Sequence, residues 1–185
     1  MEALTEVGSS FSITRNDDLE DFSGLDLLSS VGGAFNVDDN SSLDSLDGLV
    51  QLKTIGGALT IFKNNDLQQI DALTTLTSVG GSISIDYNDE LLNVDGLLGI
   101  KSLVNGKILI RFNPDLENLA GFANLVGAVS SIDIQGNDSL ANLNGLEGVV
   151  STKLGTLVRS CPELQNLSGL NGLKSVGSLT VKDND

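Results

Sequence analysis

The sequence predicts a mainly β chain wound into a parallel β-solenoid of about eight rungs, with little or no long helix. Three observations carry this. An asparagine, once replaced by cysteine, recurs at Asn16, Asn40, Asn64, Asn88, Asn113, Asn137, Cys161 and Asn184, at steps of 24, 24, 24, 25, 24, 24 and 23 residues. Apolar residues alternate just before each anchor, and after it they recur every third position. A self-similar period of this length marks units that bury their apolar sides only against one another.

The strand comes first in each unit. Three residues before the anchor stand Ile13, Val37, Ile61, Ile85, Ile110, Ile134, Val158 and Val181, and five before it stand Phe11, Phe35, Leu59, Ile83, Ile108, Ile132, Thr156 and Leu179. This period of two puts one face inward. Leucines at plus 3, plus 6 and plus 9, such as Leu91, Val94 and Leu97, then change the period to three. Short 3₁₀-like turns fit that spacing better than an α-helix, and a glycine at plus 8 in most units weakens any helix there. Each unit closes on a glycine corner such as Ile55-Gly56-Gly57, where the missing Cβ is expected to let the chain turn sharply into the next strand.

The segment Ile83-Ser84-Ile85-Asp86-Tyr87-Asn88-Asp89-Glu90-Leu91 resembles the leucine-rich repeat, which places an Asn or Cys ladder just after its strand. The units are most similar to receptor L domains, the right-handed leucine-rich solenoids of growth-factor receptor ectodomains and microbial surface proteins. The resemblance covers the whole chain. It implies a right-handed parallel solenoid and a protein-binding role at an extracellular or cell-surface location. The Cys-rich caps of animal receptors are missing, which removes support for a hormone-receptor role.

The ladder residues Asn16, Asn40, Asn64, Asn88, Asn113, Asn137, Cys161 and Asn184 are expected to be structural, because an inward amide can satisfy backbone groups that a buried turn leaves unpaired. The sequons at Asn40 and Asn137 fall on this ladder, which leaves Asn166-Leu167-Ser168 as the better glycan acceptor.

Composition limits the chemistry. The chain of 185 residues has no histidine, one cysteine and a formal net charge of −15. Histidine catalysis, His-ligated metals and a Cys-rich zinc site are excluded, and nucleic acid is an unfavourable partner for so acidic a chain. No apolar run reaches the roughly 20 residues of a membrane-spanning helix. The Gly-Gly pairs follow the coil period and read as corners rather than phosphate loops, and no nucleophile elbow or paired-carboxylate motif stands out. The chain is therefore read as non-catalytic and without a cofactor. Carboxylates after the ladder, among them Asp66, Asp89, Glu90 and Asp115, line one edge, and calcium held there by an adhesin segment is the alternative.

Outward strand positions are left to carry function. Phe62, Tyr87, Leu109, Arg111 and Phe112 lie on adjacent rungs and form the expected partner-facing patch, since aromatic and Arg side chains dominate interface energetics. The expected role is a protein-interaction or scaffold module. The alternative is a structural linker within an intracellular or organellar assembly. Residues 1–92 carry 16 acids and 3 bases against 9 and 7 in residues 93–185, an asymmetry that makes end-to-end contact with another chain conceivable. The chain begins and stops within a unit, so residues 1–185 are expected to be one solenoid domain cut from a longer repeat protein, or one whose ends another chain covers.

Overall fold

The computed structural model describes residues 4–185. Each unit contributes one four- to eleven-residue strand to a broad sheet: β2 (Phe11–Thr14), β4 (Phe35–Asp38), β6 (Leu59–Phe62), β8 (Ile83–Asp86), β9 (Lys107–Arg111), β10 (Gly127–Gln135), β11 (Val149–Arg159) and β13 (Leu179–Lys182). All pair in parallel. Two-residue strands β1 (Glu6–Val7), β3 (Ser30–Val31), β5 (Thr54–Ile55) and β7 (Ser78–Val79) build a second parallel sheet, and β12 (Ser175–Val176) pairs with the first part of β11. The solenoid thus makes about seven turns with the 24-residue spacing expected, and the only helical pieces among the described residues are 3₁₀ turns of three to five residues.

Register follows from the columns. Ile61 pairs with Val37 on one side and Ile85 on the other, so identical core positions stack rung upon rung. Leu91, Val94, Leu97 and their counterparts in the middle turns are fully buried, in one continuous core. Thr156 is the polar exception in its strand column. Its hydroxyl lies 3.0 Å from that of Thr152, and the two buried groups satisfy each other.

The corner glycines act for a different reason from the one the sequence suggests. None of Gly32, Gly56 and Gly80 has a positive φ. A Cβ on Gly56 would instead lie 2.2 Å from the Gly32 carbonyl oxygen, and one on Gly80 would lie 2.2 Å from that of Gly56. The coils touch backbone to backbone there, through bonds such as Gly56 N–H to Val31 C=O at 2.8 Å. Glycine is required because the next coil is too close for any side chain. At plus 8, Gly121 meets the same constraint, since a Cβ there would lie 1.7 Å from the Val94 oxygen, whereas Gly24, Gly48 and Gly145 hold a positive φ and a Cβ on Gly24 would meet nothing within 4 Å.

The rungs of β10 and β11, which lack the glycine pair, behave differently. Val129-Ser130-Ser131 runs straight through the corner, so β10 becomes a nine-residue strand. In β11 an extra residue produces a bulge at Lys153-Leu154, since Val129 pairs with Thr152 but Ser131 with Gly155. The outer sheet is therefore locally reshaped in the C-terminal half.

Gly56→Ala should lower stability by about 1–3 kcal/mol through overpacking. Gly8→Ala, whose Cβ would meet nothing within 4 Å, should change it by less than about 0.5 kcal/mol. Denaturant midpoints of the two variants check this, and equal effects would show that corner spacing is not the reason for glycine.

Candidate functional site

The corner after each main strand is built on one conformation. The residue before every ladder position is left-handed: Arg15, Asp39, Lys63, Tyr87, Phe112, Gly136, Ser160 and Asp183 have φ between 53° and 65°. Only one of these eight is glycine. The turn swings the anchor inward and throws the preceding side chain onto the outer corner.

Inside, the asparagines form a chain of hydrogen bonds. Asn88 Oδ1 accepts from Asn64 N–H at 3.1 Å and from Asn64 Nδ2 at 3.3 Å, while Asn88 Nδ2 donates to Ile61 C=O at 3.2 Å. The same links join Asn16, Asn40, Asn64, Asn88, Asn113 and Asn137 in succession. Cys161 interrupts them. The Asn137 amide faces its sulfur, a poor acceptor, and burial pushes the thiol above its ordinary range so that it stays protonated. The ladder resumes as Cys161 N–H donates to Asn184 Oδ1 at 3.0 Å. The sequons at Asn40 and Asn137 are thus buried, whereas Asn166 is exposed.

A second polar column escaped the sequence reading. Asn93, Asn118, Asn142 and Asn166 each accept a hydrogen bond through Oδ1 from the backbone N–H two residues on, at 2.9–3.0 Å, and Asp21 does the same to Ser23. Those of Asn93, Asn118 and Asn166 bind the first residues of the 3₁₀ segments Asp95–Leu97, Ala120–Phe122 and Ser168–Leu170. The signal was in the sequence as Asn at plus 5, but it recurs in only half the units.

The five patch residues fall into two groups, the three rings and the pair Leu109 and Arg111. Phe62, Tyr87 and Phe112 run along the corner. Phe62 meets Tyr87 edge-on at 5.5 Å between centroids, Tyr87 stacks on Phe112 at 4.6 Å, and the Phe112 ring lies over Gly136, where a Cβ would sit 2.6 Å from it. The three rings therefore pack on one another from rung to rung, with Tyr87 41% exposed. Arg111 is largely engaged: Nε and Nη2 bind the two oxygens of Asp86 at 2.9 and 2.8 Å, and Nη1 is 3.9 Å from Asp133. Asp86, in the outward row of its strand, is only 3% exposed.

Leu109 and Arg111 belong instead to a groove of about 480 Å³ on the outer sheet, with Lys107, Ser131, Asp133, Leu154, Leu157 and Thr180. Its shape comes from the sequence. Ser131, Gly155 and Ser178 are small where Lys107 is large in the same row, and the β11 bulge raises Leu154, 59% exposed, as a wall. Burial pushes the Asp133 carboxyl above its ordinary range; Arg111 opposes the shift and Asp86 adds to it. Arg159 donates to Gln135 Oε1 at 2.7 Å.

The acidic edge is a row of separated, exposed carboxylates. Among the described residues no three Asp, Glu, His or Cys side chains converge in a geometry that could hold a metal. At the last turn, Leu179 and Val181 are exposed, and a shallow cleft is lined by Leu167, Leu170, Leu173 and Val176. Among the described residues no helix is long and apolar enough to cross a membrane. No family model matches the chain, and no curated protein and no solved structure matches it.

Replacing Cys161 with Asn should restore the missing acceptor and raise stability by about 1 kcal/mol. Equilibrium denaturation checks this, and a loss of similar size would mean that the interruption is needed where it stands.

Proposed function

We propose that this chain is a non-catalytic protein-interaction module, a leucine-rich solenoid of the receptor-L-domain kind working at the cell surface or outside the cell. The observation that carries the reading is the outer-sheet groove. The inward columns are filled by packing, by the ladder and by the Thr152–Thr156 pair, whereas the groove sets Leu109, Leu154 and Leu157 beside solvent in a region where the repeat departs from its own pattern. Side chains that neither pack the core nor close the corners are the ones left for a partner. The aromatic corner is a secondary rim, since Tyr87 and Phe112 hold a left-handed backbone that glycine or asparagine would adopt at lower cost.

A second reading, a structural linker within a larger assembly, is favoured by the exposed apolar columns of the last turn. The two readings use different surfaces. In selection against a protein library from the source organism, Leu109→Asp with Leu157→Asp should abolish capture of the selected partners while leaving the thermal transition within a few degrees of wild type. Capture unchanged by the pair but lost in Val181→Asp would overturn the groove reading and favour the linker.

A further inference from the structure

We infer that the groove takes an acidic extended segment of a protein partner, one that carries a leucine-sized side chain between carboxylates; this rests on the reading of the outer sheet as the partner-binding face. The distribution of charge carries it. The chain has a net charge of −15, yet β9, β10, β11 and β13 hold Lys107, Arg111, Lys153, Arg159 and Lys182, five of its ten basic residues, and only one acid, Asp133. The first four strands of the same sheet hold no base and two acids, Asp38 and Asp86.

Not all five cations are equally available. Arg111 is held by Asp86, and Lys182 lies 3.7 Å from Asp183. Lys107, Lys153 and Arg159 have no carboxylate partner among the described residues. Lys107 and Arg159 stand at diagonal corners of the block of outward residues that β9, β10 and β11 present, with Leu109, Asp133 and Leu157 in the row between them and the Asp133 carboxylate 3.9 Å from Arg111. The bulge sets Lys153 next to Leu154 at one rim.

An anionic partner gains twice here. Its carboxylates meet unpaired cations, and the rest of the chain, strongly acidic, repels it from every other face and so restricts where it docks. A bare polyanion such as a sulfated polysaccharide would use the cations but leave the leucine floor wet. The floor favours a peptide, because burial of Leu109, Leu154 and Leu157 needs an apolar side chain opposite.

The test is panning of a random dodecapeptide display library on the wild-type chain, followed by fluorescence anisotropy of the enriched peptides. Enrichment of Asp or Glu flanking Leu, Ile or Met is expected. Affinity should fall at least tenfold in Leu157→Asp and in the Lys107→Glu, Arg159→Glu pair, and severalfold between 50 and 300 mM salt. Ser12→Asp, on the far strand of the same sheet, should leave it unchanged. Enriched peptides that are neutral or basic but still lost in Leu157→Asp would overturn the acidic class and leave the groove standing. Peptides indifferent to Leu157→Asp, or no enrichment, would overturn both. Displacement of the peptides by heparin, with heparin binding unaffected in Leu157→Asp, would mark a polyanion patch and also overturn the inference.

Discussion

A coil of this solenoid has to bury a sharp turn, and the amide groups of that turn must find partners away from water. The asparagine ladder meets this constraint. Each side chain accepts from the preceding rung and donates to a strand carbonyl one rung back, so that the polar groups at the corner and the apolar columns beside it repeat with one period. Leaving a buried donor or acceptor unpaired costs about 1–3 kcal/mol. Repeated at every rung, that penalty is comparable to the whole stability of a domain. The left-handed residue before each anchor, the close approach of glycines at the opposite corner and the strict register of the core columns all follow from keeping the amides in line.

Much of this was legible in the residues. The anchor spacing, the change of period from two to three and the inward columns define the coil, because packing of identical rungs forces identical chemistry at each position. The left-handed turn was not legible. Arg, Asp, Lys, Tyr, Phe and Ser occupy it, and no composition signals a conformation that six side-chain types share. The glycines were visible but their reason was not, since the clash that excludes a Cβ comes from a carbonyl 24 residues away. The groove was hidden for a related reason: it depends on a strand that gains one residue, and a bulge appears only when two strands are paired.

The surface follows the departures from the repeat. Where the pattern is kept, in the first four rungs, the outer face is small and polar, with Ser12, Asn36, Thr60 and Ser84 in one row. In the rungs of β10 and β11, long strands, a bulge and cations without a carboxylate partner among the described residues arise together. Phe62, Tyr87 and Phe112 mark the transition, with Phe62 edge-on to Tyr87 and Tyr87 stacked on Phe112. Arg111 shows how misleading an outward position can be, because its charge is spent on a buried carboxylate of the neighbouring rung.

Native-state hydrogen exchange of the backbone amides at the ladder positions tests most directly whether the ladder holds the fold together. The account predicts that Asn40, Asn64, Asn88 and Asn113 exchange only through global unfolding, that Asn137, which faces Cys161, exchanges measurably faster, and that Asn184 is the least protected. Protection at Asn137 equal to that of Asn88, or ladder amides that exchange faster than the core strands around them, would contradict it.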